Sequence, residues 1–323
     1  MGAQDFFRPS LPFAMKRSAF TLVELLVVVA VIALLAALLL VAVNRARETA
    51  RRNQCLTRQR DLAIAMITYA NDNNGLPGYL NELGATPVHS WAVSVFPLIG
   101  ETKRYEAMMS GSAPAALVSP VALLCPSDKR PSDAPSDIGQ LSYVVNCGPA
   151  TQLFQAVSLP LNKDSGDIAP HFTLFKDRRT ALTSMNINKK VKIEEIPDGA
   201  SNTILLSENV DAGFWDKGWT LPNANELPQY DSGPFTRDSF AVANLGFTWG
   251  KDKSYLPNAL PDPLAGGPRP SSNHPGQVIT AYADGSARPM NDDIDITVYL
   301  KAVCPDDEKA AELVSNGGLG LFD

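Results

Sequence analysis

The run Phe20–Val43 reads FTLVELLVVVAVIALLAALLLVAV, and from Leu25 to Val43 it holds 19 consecutive apolar residues with neither Gly nor Pro. At about 1.5 Å of rise per residue that stretch spans about 28 Å, the thickness of a bilayer's hydrocarbon core. A secretory signal carries only about 7–15 apolar residues before a small-x-small cleavage site. Here the run is longer and Asn44-Arg45-Ala46-Arg47 follows it. The stretch therefore reads as a transmembrane helix. Glu24 interrupts it, and a carboxylate at membrane depth costs about 2.5–3.5 kcal/mol unless it is partnered. A free α-amino group, released by cleavage just upstream, would supply a neutralising ammonium. The alternative is that Glu24 lies at the interface and snorkels into the headgroups.

Beyond the apolar block the helical pattern continues. Leu56, Ala63, Ile67 and Ala70 recur at helical steps, and Leu62, Met66 and Tyr69 form an adjacent stripe, with Arg and Gln on the other face. Asn71-Asp72-Asn73-Asn74-Gly75, with Pro77 beyond, supplies the stop. The spacing predicts one helix from Phe20 to about Asn71. From Leu76 the texture changes to short apolar segments punctuated by Pro, Gly, Asn and Asp. Strands are expected at Ser142–Asn146, Thr203–Ser207, Phe240–Phe247 and Gln277–Ala283, with short helices near Thr102–Ser110 and Asp306–Ser315. Ala283-Asp284-Gly285-Ser286 reads as a two-residue type I′ hairpin turn, and Pro197-Asp198-Gly199 as a second turn. The fold class is α+β, a long N-terminal transmembrane helix packed on an antiparallel sheet domain. Organisation follows as a basic leader over 1–19, a helix over 20–73 that crosses the membrane over 20–43, and a globular domain over 74–323.

The whole chain of 323 residues carries a net charge of −6, which offers no basic field to offset phosphate repulsion and excludes nucleic acid as an expected partner. The four cysteines, Cys55, Cys125, Cys147 and Cys304, form no C-x-x-C pair, so a zinc ribbon or thioredoxin-type site is not expected. Export would permit one or two disulfides among them, with three full pairings open.

Ser18-Ala19-Phe20-Thr21-Leu22-Val23-Glu24-Leu25-Leu26 resembles the type IV prepilin cleavage and methylation motif. The resemblance implies that a prepilin peptidase cuts between Ala19 and Phe20 and methylates the new amine of Phe20. Glu24 then becomes the fifth mature residue and the one that guides assembly. Ala19 stands where that family nearly always has Gly, which implies slower processing. Lys16 and Arg17 supply the basic leader, and Met15 begins a leader of more usual length. Arg45, Arg47, Arg51, Arg52, Arg58 and Arg60 outnumber Arg8, Lys16 and Arg17, so the positive-inside rule alone would put the C-terminal flank in the cytoplasm. The resemblance implies the reverse: a single-pass inner-membrane protein whose C-terminal domain is periplasmic or extracellular.

A second resemblance runs along the rest of the chain. Ala46-Arg47-Glu48, Ala50-Arg51-Arg52 with Cys55, Trp91 with Phe96-Pro97, and Leu124-Cys125-Pro126-Ser127-Asp128 are similar to a pseudopilin-like family, the domain of unknown function numbered 1559. So are Ser142-Tyr143 with Asn146 and Gly148, the stretch Asp198–Glu208, and His274 followed after nine residues by Asp284-Gly285, an H-x9-D-G pattern. Together these imply a structural subunit of a type II secretion pseudopilus or type IV pilus-like filament. Its expected partners are a prepilin peptidase, other pilin or pseudopilin subunits, an assembly platform and membrane lipid.

Other chemistries fit less well. With three histidines and no nucleophile elbow, zincin helix, Walker loop or dinucleotide fingerprint, the chain is not expected to be an enzyme. His274 and Asp284 could approach one another, and Glu208 or Asp292, Asp293 and Asp295 could offer oxygens to calcium, but a loop cap and a turn residue account for the first pair and no cofactor is expected. The competing function is a membrane-tethered extracytoplasmic binding protein that uses the helix only as an anchor, with Trp215 and Trp219 stacking on sugars.

Overall fold

The computed structural model describes residues 22–81, 89–110, 119–128, 139–149, 174–175, 177–178, 190–210, 212, 215, 246–249, 253, 256–259 and 269–309. The chain divides into two compact units, Met1–Arg47 and Glu48–Asp323. Helix α1 (Leu22–Asp72) contributes to both. Ala19 and Phe20 lie outside the described residues. Glu24 sits in the first turn of α1.

In the first unit the large apolar side chains from Leu22 to Val43 are exposed along α1. Such a surface is stable only against lipid or other apolar helices, since about 25 cal/mol is at stake for every Å² left in water. In the second unit α1 buries Cys55, Gln59, Leu62, Ala63, Ala65, Met66 and Ala70. That face takes Leu62 and Met66 from one predicted stripe and Ala63 and Ala70 from the other and adds Cys55, Gln59 and Ala65, while Leu56, Ile67 and Tyr69 are only half-buried. The expectation that glutamines face outward fails at Gln59, whose amide donates to the Ile279 carbonyl at 2.9 Å and so enters the core with its donor satisfied. The helix ends as the Asn-Gly run requires. Asn74 is left-handed at φ 58°, Gly75 has φ 132°, and the Gly75 N–H closes back on the Ala70 carbonyl at 2.7 Å. Gly75 is also needed for space, because a Cβ there would overlap Lys190 and Val191.

The main sheet has five strands: β3 (Tyr143–Pro149), β5 (Ile204–Glu208), β6 (Gly246–Trp249), β7 (Gln277–Tyr282) and β8 (Ala287–Asn291), in the order β6-β3-β5-β7-β8. Three pairings are antiparallel, and β3 with β6 is parallel. A smaller sheet orders β2 (His89–Ser90), β1 (Leu80–Asn81) and β4 (Asp177–Arg178). The architecture is α+β, with α2 (Trp91–Val95) and α3 (Thr102–Met109) between β2 and β3 in the chain. Central strand β5 is buried at every position and β7 at all but its first, whereas β8 buries only Met290 and carries Pro289, which suits an edge. Of the expected strand Phe240–Phe247, only its end falls among the described residues.

Two local readings need correction. Asp284-Gly285 does not form a two-residue type I′ turn, since of that pair only Gly285 has positive φ, at 83°. The Gly285 N–H donates to the Tyr282 carbonyl and the Tyr282 N–H to the Ser286 carbonyl, making a three-residue loop of the type I plus bulge kind. Its tip lies close to Ile64 and Ile67 of α1, where a Cβ on Gly285 would press on both. Helix α4 (Ile296–Val303) was not anticipated from the pattern. Its N-cap is Asp295, whose carboxylate accepts from the N–H groups of Thr297 and Val298. It packs Tyr299, Leu300 and Val303 into the core, and the Asn146 amide bridges the carbonyls of Ile204 and Val303.

The turn at Asp198 abuts the end of α4. The Asp198 carboxylate accepts from the Asp307 N–H at 2.7 Å. Burial, with the charges of Asp307 and Asp306, raises its pKa to about 6 against the Asp307 hydrogen bond that favours ionisation. A carboxyl with a raised native value binds its proton more readily folded than unfolded, so its contribution to stability declines as pH climbs from about 4 through about 6. Asp198→Asn is therefore expected to raise the thermal midpoint at pH 8 by about 2 °C, under about 1 kcal/mol once solvent screening is discounted. The gain should vanish by pH 4.5. An equal shift at both pH values in scanning calorimetry would contradict this.

Candidate functional site

The second unit gathers a buried polar cluster from four separate segments. Glu48 and Cys55 lie seven residues apart in α1, two turns along one face. Cys125, Ser127 and Asp128 follow a 3-10 turn at Val121–Leu123. Glu208 ends β5, and His274 lies in the loop entering β7. Backbone bonds hold the segments in place: Ser271 N–H to the Glu208 carbonyl at 2.9 Å, Asn209 N–H to the Ser142 carbonyl at 3.0 Å.

His274, 2% exposed, is the centre. Its Nδ1 stands 2.7 Å from Glu48 Oε1; since a carboxylate only accepts, Nδ1 carries the hydrogen and donates. Ser127 Oγ donates to the same carboxylate at 3.0 Å, and Arg51 reaches it at 3.3 Å. On the other edge, Nε2 lies 3.3 Å from Glu208 Oε1 and 3.5 Å from Cys125 Sγ. Among the described residues Glu208 Oε1 accepts no hydrogen bond, so the contact with Nε2 is a charge pair and not an aligned bond. Glu208 Oε2 is held by the Ile279 N–H at 2.9 Å. Burial alone would raise the Glu48 pKa, but the hydrogen bonds from His274 and Ser127 and the charge of His274 outweigh it and hold the carboxyl below its usual range. Burial likewise opposes protonation of His274, and the two carboxylates overcome it, lifting the imidazole above its usual value. Burial, helped by Glu208 and Asp128, also pushes the Tyr143 phenol well up, so it stays protonated and donates to the Leu124 carbonyl at 3.3 Å.

Cys55 and Cys125 are joined in a disulfide, with Cα atoms 5.3 Å apart and a separation of 70 in sequence. Cys147 and Cys304 stand outside any disulfide. A small cleft, with room for about one water, lies beside the cluster and is lined by Cys125, Asp128, Ser142, Glu208, Asn209, Val210 and residues 271–273.

The approach of His274 to Asp284, considered as a possibility from the sequence, is not what the structure builds. Asp284 accepts from the Ser286 N–H within its turn at 2.8 Å, and Gly285 serves the bend, while His274 turns to Glu48 and Glu208. The oxygens considered for calcium have other partners: Asp295 caps α4, Asp292 meets Asn258, and Glu208 faces His274. Trp215 is 1% exposed and packs edge-on to Phe96 at 4.9 Å, so it is core and not a sugar platform; Trp219 lies outside the described residues. Sequence reasoning missed the role of Glu48. Its signals were its place on one helical face with Cys55 and in the Ala46-Arg47-Glu48 match.

A helix long and apolar enough to cross a membrane near the N-terminus defines the class, and the model of the prokaryotic N-terminal methylation motif matches residues 14–40: the chain is prepilin-like. The model of the family described as "Protein of unknown function (DUF1559)" matches residues 44–297, most of the chain, and the protein belongs to that family. The matched span contains every member of the buried cluster. No curated protein and no solved structure matches the chain.

Proposed function

We propose that this protein is a structural subunit of a type II secretion pseudopilus or type IV pilus-like filament. In this reading a prepilin peptidase cuts after Ala19 and methylates Phe20. The subunit waits in the inner membrane with residues beyond 43 outside, and an assembly platform draws it into a helical bundle through α1. The chain acts by packing and not by catalysis. The carrying observation is Glu24, an acidic residue in the first turn of a helix whose apolar side chains are exposed from Leu22 to Val43.

If the Phe20 ammonium of the same or a neighbouring subunit neutralises Glu24, the pair offsets an insertion cost of about 2.5–3.5 kcal/mol. That energy corresponds to about 100-fold in association. Glu24→Ala is thus expected to leave membrane insertion intact while the yield of crosslinked filament drops about 100-fold or to background. Unchanged crosslinked oligomers would instead favour the tethered binding protein. Mass spectrometry finding Phe20 unmethylated and the leader retained would remove the processing step.

A further inference from the structure

The disulfide closes the buried cluster beside a carboxylate and an imidazole. Cys55 Sγ, Cys125 Sγ, Glu208 Oε1 and His274 Nε2 all lie within 4.8 Å of one another. Around a tetrahedral zinc, with bonds of about 2.3 Å to sulfur and about 2.0–2.1 Å to nitrogen or oxygen, neighbouring ligand atoms stand about 3.4–3.6 Å apart for S···N and N···O and about 3.8 Å for S···S. The observed Sγ···Nε2 distance is 3.5 Å and the Nε2···Oε1 distance is 3.3 Å. Two of the six ligand–ligand distances are therefore already zinc-like, the sulfur–sulfur bond is too short for the polyhedron, and the other three lie within 4.8 Å.

The surroundings fit the same reading. A metal-bound imidazole usually donates its other N–H to a carboxylate, which fixes the tautomer. Glu48 takes that hydrogen from Nδ1 at 2.7 Å, and Ser127 braces Glu48 in turn. With Nδ1–H committed to Glu48, the Nε2 edge of His274 is left facing Glu208 Oε1 and Cys125 Sγ. Glu208 Oε1, on a side chain 3% exposed, accepts no hydrogen bond among the described residues, while Oε2 is tied to the Ile279 N–H and fixes the carboxylate's aim.

We propose that Cys55, Cys125, Glu208 and His274 form a zinc site when the disulfide is reduced, so that the S–S bond and the metal are alternative closures of one cluster. A dithiol or phosphine reductant delivers two electrons, and two protons complete the two thiols. Zinc then displaces both thiol protons and binds two thiolates, the imidazole and the carboxylate. A small-molecule disulfide oxidant accepts the two electrons by thiol–disulfide exchange and leaves as two thiolates, which reforms the S–S bond and releases the ion.

The test uses the full chain in mild detergent, reduced with a phosphine, given zinc, and desalted. Elemental analysis should find about one zinc per reduced chain and almost none on the oxidised chain, and zinc should raise the thermal midpoint of the reduced form. Cobalt in its place should give the intense visible bands of tetrahedral thiolate ligation. Cys55→Ser/Cys125→Ser, which retains Cys147 and Cys304, should lose the metal, and Glu48→Gln should weaken binding about 10–100-fold while keeping the cobalt spectrum. Absence of bound zinc together with no rise in the midpoint would overturn the proposal. So would zinc retained by the double serine variant, zinc retained equally by His274→Ala, or equal zinc on the oxidised chain.

Discussion

Removing the Cys55–Cys125 disulfide is expected to lower the thermal midpoint of the chain by about 8–16 °C. The bond closes a loop of 70 residues. Loop-closure entropy in the unfolded chain sets its worth at about 4 kcal/mol, and a domain of more than about 150 residues loses about 2–4 °C per kcal/mol. The bond joins α1, just before the buried face at Gln59 and Leu62, to the segment that braces Glu48 through Ser127. Its loss therefore loosens the helix against the sheet as well as relaxing the unfolded chain. The measurement is a thermal melt of Cys55→Ala/Cys125→Ala in detergent with a metal chelator present, so that no ion takes over the closure. Alanine avoids burying two new hydroxyls where Cys55 is 0% and Cys125 8% exposed. A midpoint within about 2 °C of the parent would show that the bond contributes little.

What could be read from the sequence and what could not divide along contact range. Helix α1 was legible nearly to the residue, because apolar length, helical period and the Asn-Gly stop are all local signals. The same holds for β5 and β7, whose apolar runs are bounded by turns. Gln59 was misplaced because periodicity sorts polar residues outward and cannot see that the Ile279 carbonyl, 220 residues away, is waiting for a donor. Helix α4 escaped because the acidic run before it suggested oxygen ligands when Asp295 was a cap. The cluster was the least legible part. Its cysteines were among four candidates with three full pairings, and His274 lies 226 residues from Glu48, so no local pattern could choose its partner. The resemblance marked both stretches without saying that they meet. Asp284, next to His274 in the H-x9-D-G pattern, drew attention away from the carboxylates that touch the ring.

His274→Ala is expected to be the most damaging single side-chain truncation in the cluster, costing about 3–5 kcal/mol, or about 6–20 °C of thermal midpoint. The reason is Glu208, 2% exposed, which would be left as a buried carboxylate without its cation. Adding Glu208→Gln to that variant should therefore recover at least about 1 kcal/mol, because a neutral amide can still accept from the Ile279 N–H and no longer carries an uncompensated charge. The pH profile follows from the two shifts. The imidazole is raised above its ordinary 6.5, so its contribution is fully present below that value and disappears as pH climbs through the raised one. Glu48 is lowered from its ordinary 4.5, so its contribution is fully present above that value and disappears as pH falls through the lowered one. Both act together between 4.5 and 6.5, and the gap between the parent and His274→Ala should be widest there and narrow on either side. A truncation costing under about 1 kcal/mol at pH 6 would mean the pair is not buried as described. A double variant no more stable than His274→Ala would mean that Glu208 was never the charge at stake.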